Sequence, residues 1–341
     1  MNKVCLLGMV VLSCASVLRA AEILDMYVID TEGGKALLVI SPAGETMLID
    51  AGFPGFNDRD AIRIEEAAKT ANVKKFDYLL VTHYDMDHVN NVPATVARIP
   101  AATFVDHGSP SVKDPRTTAA LKAYEEVAAK AKRMIVKAGD KIPFKGVDVL
   151  VVTSAGEAIK TPVKGGGAPN PFCEGTPAKT WTRANEDKSE NAQSVGLLFT
   201  FGKFRMLDLA DLTWNKELAL MCPNNLIGTV DLFMVGHHGN DISNSPALVH
   251  ALRPRAAIMN NGARKVGAPS VLKTIRSSPG LEALYQLHWS VAAGIEGNAP
   301  DEFIANLQDS PDGMWIKVSA QRDGTFTVTN ARTGVSKTFK R

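Results

Sequence analysis

Phe76-Asp77-Tyr78-Leu79-Leu80-Val81 runs directly into Thr82-His83-Tyr84-Asp85-Met86-Asp87-His88. The first six residues read as a buried strand. The next seven carry His83, Asp85, Asp87 and His88 within six positions. A strand that ends in such a cluster aims its side chains into the space above a sheet edge. Imidazole and carboxylate are ligand types for zinc, manganese or iron, and a catalytic site needs about three of them with one position open. A merely solvated loop gives no reason for four ligand-type residues directly after so apolar a strand.

Working outward, three further apolar segments end the same way. Met47-Leu48-Ile49-Asp50-Ala51-Gly52 puts Asp50 at a strand end. Leu207-Asp208-Leu209-Ala210-Asp211-Leu212 puts Asp211 just past another, with Asp208 inside it. Val235-Gly236-His237-His238-Gly239 puts two imidazoles past a third. Four strands ending in Asp or His predict one sheet edge with a shared site.

Other segments supply the frame. Strands are predicted at 23–30, 35–41, 46–50, 76–81, 103–106, 147–153, 194–201, 205–209, 230–235, 256–259 and 284–287. Antiparallel tail strands follow at 315–318, 325–329 and 335–339. Helices are predicted at 59–72, 89–99, 115–133, 213–221 (with Thr213 as N-cap), 246–252 and 269–276. Residues 154–193 form a long polar loop, and loops of that length usually serve a site. Gly165-Gly166-Gly167 within it precedes no helix start, so it reads as flexible loop rather than a phosphate cradle. Strands and helices alternate without a linker. This predicts one α/β domain of mixed sheet with outer helices over residues 21–341.

In order and spacing these segments resemble the metallo-β-lactamase superfamily, and within it the hydrolase domain of ComEC-type competence proteins. The resemblance rests on Asp30-Thr31-Glu32-Gly33-Gly34-Lys35-Ala36, a loose match, on Leu48-Ile49-Asp50-Ala51-Gly52, and on the H-x-D-x-D-H set His83, Asp85, Asp87 and His88. It rests also on Asn191-Ala192-Gln193-Ser194, on Ala210-Asp211-Leu212 and on His237-His238-Gly239. It implies an αββα sandwich of two mixed sheets with outer helices, and a hydrolase using a metal-activated water. His83 and Asp85 would hold one divalent ion, zinc or manganese. Asp87 and His88 would hold a second or orient the water, and Asp211 would bridge. Asp50 would steady a ligand imidazole. His237 or His238 would touch metal, substrate or leaving group, and Asp87 or a histidine would move the proton. On an extended backbone the paired histidines point in opposite directions, and His237 is expected to be the metal-side member. Asn191 belongs to the expected substrate side.

Two departures stand out. Asp85 replaces the histidine usual in the superfamily, which shifts the preference toward manganese or iron relative to zinc. Gly267-Ala268-Pro269 replaces a Gly-His-Pro found in the branch, so an imidazole is missing. His107 and His288, each after a strand, could stand in for it. One ion or two are both open.

Residues 1–20 differ in kind. Met1-Asn2-Lys3, the apolar run 4–18 and Arg19-Ala20-Ala21 predict a secretory signal peptide cleaved after Ala20. Lipid attachment at Cys14 is an alternative. Lys3 and Arg19 would leave with it, so 38 basic and 36 acidic residues would become 36 of each. Such a balance provides no polycation field for duplex nucleic acid or an anionic membrane. Cys173 and Cys222 would remain, free to pair in an oxidising compartment. The expected product is a secreted or periplasmic metallo-hydrolase acting on a phosphodiester or nucleic-acid-like substrate. A β-lactam or lactone hydrolase and a non-catalytic binding protein are the alternatives.

Overall fold

The computed structural model describes residues 22–110, 115–174, 187–307 and 313–341. The expected signal segment and Cys14 lie outside them. The first part of the chain forms β1 (Ile23–Val28), β2 (Leu37–Ile40), β3 (Thr46–Ile49), α1 (Arg59–Thr70), β4 (Phe76–Leu80), α2 (Met86–Val89), α3 (Val92–Arg98), β5 (Ala101–Asp106), α4 (Pro115–Ala128) and β6 (Lys132–Ile135). The middle forms β7 (Lys141–Ile142), β8 (Asp148–Ser154), β9 (Glu157–Ala158), β10 (Gly196–Phe201), β11 (Phe204–Asp208), α5 (Trp214–Met221), β12 (Leu232–Met234), α6 (Pro246–Leu252), β13 (Ala256–Met259), α7 (Pro269–Arg276) and β14 (Ala283–His288). The last part forms α8 (Gly294–Gly297), β15 (Ile304–Asn306), β16 (Ile316–Gln321), β17 (Phe326–Asn330) and β18 (Ser336–Phe339).

Among the described residues the strands make two mixed sheets. The first runs β18-β17-β16-β1-β2-β3-β4-β5-β6, and the second β15-β14-β13-β12-β11-β10-β8-β7 with β9 on β8. Strand alternation explains how they stack. Leu24, Met26 and Val28 of β1 face Leu197, Phe199 and Phe201 of β10 and Phe204 and Met206 of β11 in a shared core. The other face of the first sheet packs under α1 and α4 through Ile64, Ala67, Ala68, Ala120, Tyr124 and Ala128. The other face of the second sheet packs under α5, α6 and α7 through Leu220, Leu248, Leu252, Leu272 and Ile275. This is the mixed α/β, αββα arrangement expected. No helix among the described residues is long and apolar enough to cross a membrane.

Several expectations are corrected. The helix expected over 89–99 is two short helices, α2 and α3, so His88 lies on a helical turn. Pro93 sits at the start of α3, and it has no N–H to continue the α2 ladder. The helix expected to run to Arg133 stops at Ala128, because Lys132–Ile135 pairs in parallel with β5. Strands β7, β9 and β15 were not foreseen. Thr213 does occupy the N-cap of α5, but its hydroxyl donates to the buried Asp187 rather than capping the helix. The first part of the long loop is not a free decoration. Its backbone runs beside residues 223–226, with Val163 N donating to Leu226 O at 2.9 Å and Gly167 N to Asn225 O at 2.7 Å. A disulfide joins Cys173 to Cys222. A side chain at Gly166 would lie 2.3 Å from the Leu226 carbonyl oxygen, so this glycine permits a close backbone approach. The expectation that deleting residues 164–179 alters substrate range more than fold stability meets a first part, up to Cys173, that is tied into the fold by backbone pairing and a covalent bond.

Candidate metal centre

The site forms where parallel strands end together. β3 and β4 pair in parallel through Ile49 and Leu80, and β11 and β12 through Asp208 and Met234. Their C-terminal ends bring Asp50, the 83–88 segment, Asp211 and His237-His238 to one edge. Two links join the sheets there. Val195 N donates to Thr82 O at 2.9 Å. Lys35 makes a buried ion pair with Asp208, which leaves Asp211 as the carboxylate offered to the site.

Asp50 closes β3 with φ 60°, a left-handed conformation that Asp tolerates. It accepts from Thr82 N (2.8 Å), Thr82 Oγ1 (2.7 Å) and His88 Nδ1 (2.8 Å). Burial pushes the Asp50 carboxyl up, but His88 outweighs it and holds the group below its ordinary value. Because Thr82 donates to Asp50, its oxygen can accept from His83 Nδ1 at 3.1 Å. One carboxylate thus orients two rings with their Nε2 atoms turned toward the edge, the support that ligand imidazoles require.

Those nitrogens converge on Asp211. Its Oδ2 lies 3.3 Å from His88 Nε2, 3.3 Å from His238 Nε2, 3.5 Å from His237 Nε2 and 4.0 Å from His83 Nε2. His88 and His238 Nε2 are 3.2 Å apart. Asp87 Oδ2 is 3.3 Å from His238 Nε2 and 3.9 Å from His88 Nε2. Asp85 Oδ2 is 3.7 Å from His83 Nε2. Burial pushes Asp211 up, yet His238, His88 and His237 hold it well below the usual carboxylate range. Asp87 is likewise held low against burial by His88, His238 and Lys265. Burial depresses the His83 imidazole to about 3, so it is a neutral lone-pair donor. Burial opposes protonation of His88 and His238, but Asp211 and its neighbours raise both. Burial lifts Asp85 to about 6, with His88 opposing and Asp87, Asp211 and Glu190 adding.

The paired histidines do not lie on an extended backbone. Gly236–Gly239 is a tight turn with both histidines left-handed (φ 52° and 54°), so both rings reach Asp211. His238, not His237, is the central member: it is 1% exposed and touches His88, Asp87 and Asp211, while His237 sits at the rim. The expected metal-side member, His237, also reaches Asp211, but from the rim. Gly239 closes the turn with φ 80°, a conformation that favours glycine.

The remaining expected residues lie around the centre rather than in it. His107 Nε2 meets Glu190 Oε1 at 2.8 Å, and Tyr84 N donates to the same oxygen at 3.3 Å. His288 Nε2 meets Asp30 Oδ1 at 2.8 Å beside Glu32 and Arg63. Neither replaces the missing imidazole. Asn191 is half-buried in a short turn after Glu190, with no hydrogen bond to its buried Oδ1. Three contributors escaped the sequence reading. Asn260 Nδ2 is 3.0 Å from His238 Nδ1 and donates to Gly34 O at 3.1 Å. Glu190 supports the 83–85 loop. Lys265 ion-pairs with Asp87. Each had only a neighbouring signal: Asn191 beside Glu190, the strand 256–259 before Asn260, and Gly267-Ala268-Pro269 after Lys265.

The donor set fits a divalent cation. His83 Nε2 is buried with no hydrogen-bond partner, turned toward Asp85 and Asp211. The 3.2–3.9 Å spacings among His88, His238, Asp211 and Asp87 are those of ligands about 2.0–2.2 Å from one ion.

Residues 29–165 match the metallo-beta-lactamase superfamily. The matched stretch contains His83–His88 and ends before Asp211 and His237-His238. Among solved structures, the chain is similar to CmlA, a diiron beta-hydroxylase from Streptomyces venezuelae, at 16% identity over 72% of this chain and 46% of that one (TM-score 0.40). It is similar to a Cronobacter sakazakii metallo-beta-lactamase with a HARLDQ motif, at 14% identity over 62% and 73% (TM-score 0.38). A diphosphatase of the PhnP family is matched at 12% identity over 77% and 95% (TM-score 0.39). The chain spans about half the length of the CmlA hydroxylase it matches. No curated protein matches.

Proposed function

We propose that this protein is an exported, metal-dependent hydrolase of phosphodiester or nucleic-acid-like substrates, of the ComEC-type branch. The observation that carries the reading is the buried, unpartnered His83 Nε2 facing a hub of carboxylates and imidazoles at an open sheet edge. A zinc or manganese ion held by His83, His88, Asp211 and His238 would polarise a substrate oxygen and make water more acidic.

The chain's own groups supply the rest. Asp50 and Thr82 keep His83 and His88 in register. Asp85 is 39% exposed at its side chain, and burial places its pKa at about 6. That exposure lets it exchange a proton with solvent, as a general base must. Asp87 is poorly suited to that work, because Lys265 and His238 engage the carboxylate and hold it ionised. His237, at the rim, is placed to pass a proton toward a leaving group. A carboxylate-rich centre suits the hard oxygens of phosphate. The Cys173–Cys222 bond and the character of residues 1–20 support export.

The test is turnover of bis-(p-nitrophenyl) phosphate, a lactone and nitrocefin by metal-analysed protein with zinc or manganese. The phosphodiester is expected to be cleaved, chelation to stop it, and Asp211→Ala to lose the metal. Preference for nitrocefin or the lactone would make the protein a ring-opening hydrolase. Full metal content without turnover of any of the three would favour a binding protein.

A further inference from the structure

The geometry points to Lys265 as a built-in cation that limits this centre to one divalent ion. The inference rests on the reading that the cluster binds metal. The donors around Asp211 are numerous: His83, Asp85, Asp87, His88, His237 and His238 could between them serve two ions. The ammonium of Lys265 already pairs with Asp87 Oδ2, the carboxylate oxygen 3.3 Å from His238 Nε2.

That placement is part of the fold. Gly262 N donates to Lys265 O at 3.1 Å, closing a tight turn. The next residue, Val266, has φ 57°, a conformation a β-branched residue adopts only when its surroundings impose it. The Lys265 stem lies on Gly33, where a Cβ would come within 3.0 Å of Lys265 Cβ and 3.1 Å of its Cδ. Its ammonium stands 4.4 Å from the Phe53 ring centroid. An aromatic face on one side and a carboxylate on the other hold a cation at that point.

The same segment offers no further ligand. Gly267 N donates to His238 O at 3.0 Å and Ala268 N to Gly239 O at 2.9 Å, so it runs directly beside the paired histidines. Ala268 packs its methyl on the apolar cluster under α7. A second ion beside Asp87 would meet an ammonium instead of a ligand. One dication and Lys265 together already bring three positive charges to Asp85, Asp87 and Asp211, while Asp50 is engaged by Thr82 and His88. A further dication in this mostly buried space would face uncompensated like charge.

The test is metal stoichiometry, which needs no substrate. Stripped wild-type protein, Lys265→Met and Lys265→Arg are dialysed to equilibrium against manganese and analysed by elemental analysis and electron paramagnetic resonance, with circular dichroism verifying the fold. One equivalent is expected in wild type and in Lys265→Arg. Two equivalents, with an exchange-coupled manganese signal, are expected in Lys265→Met. Two equivalents in wild type would overturn the inference, and so would one in Lys265→Met or two in Lys265→Arg. No binding in any form would overturn it together with the metal reading itself. One equivalent throughout would leave that reading standing and remove only the role of Lys265.

Discussion

Asp211 Oδ2 has four imidazole nitrogens within 4.0 Å. A buried carboxylate so surrounded stays ionised, and the imidazoles compete among themselves for protons and metal. His238 has the stronger claim to metal, because Asn260 steadies its other nitrogen and its Nε2 touches three donors. Substituting it by Ala is expected to weaken metal binding by about 10²-fold or more, while His237→Ala should cost less than about tenfold. Apparent Kd from competition with a chromophoric chelator would decide, and the reverse order would restore His237 as the ligand. The residue types were legible in the sequence: every member of the hub lies at the end of an apolar run. The choice between His237 and His238 was not. It depends on two left-handed residues in succession, a backbone state that histidine does not announce.

At the scale of elements, short supports decide how the site is held. Glu217 on α5 is 1% exposed and accepts from Asn244 N at 2.6 Å and Ser245 N at 2.8 Å. Asn244 in turn bonds both Gly236 N and Gly236 O at 2.8 Å, directly before the paired histidines. Burial raises the Glu217 carboxyl from its ordinary value near 4.5 to about 7, against the pull of these backbone donors. The folded state therefore keeps a proton that the unfolded chain has released between those values. By linkage, stability should fall as pH rises from about 4.5 to 7 and level off above that. Thermal unfolding of wild type and Glu217→Gln across this range should show the wild type losing Tm relative to the variant. Parallel curves would mean that Glu217 is ionised in the native protein. Element existence was largely readable from periodicity, and α6, β13 and α7 fall at their expected bounds. The ends of longer segments were not, because Pro93 broke one helix and parallel pairing with β5 claimed residues 132–135 from another.

At the scale of the molecule, two sheets and a covalent link hold the edge in place. The Cys173–Cys222 bond closes a separation of 49 residues and ties the long loop to the end of α5. A loop of that length is worth about 4 kcal/mol in the chain-entropy account, with about 2–4 kcal/mol typical in practice. The Cys173→Ser, Cys222→Ser double variant is expected to lose stability within that range in urea unfolding, with little change in metal stoichiometry. A loss of metal alongside normal stability would instead place the loop in the site. The sequence by itself determined the alternation of strands and helices and the ligand-bearing strand ends, because periodicity and residue type are local properties, while the αββα class came from the family resemblance. Only the tertiary structure decided that His107 and His288 pair with Glu190 and Asp30, that Asp208 is engaged by Lys35, and that Lys265 stands on Asp87. Those pairings join residues up to 258 positions apart. Burial makes each charge find a partner, and which partner it finds depends on how the two sheets meet.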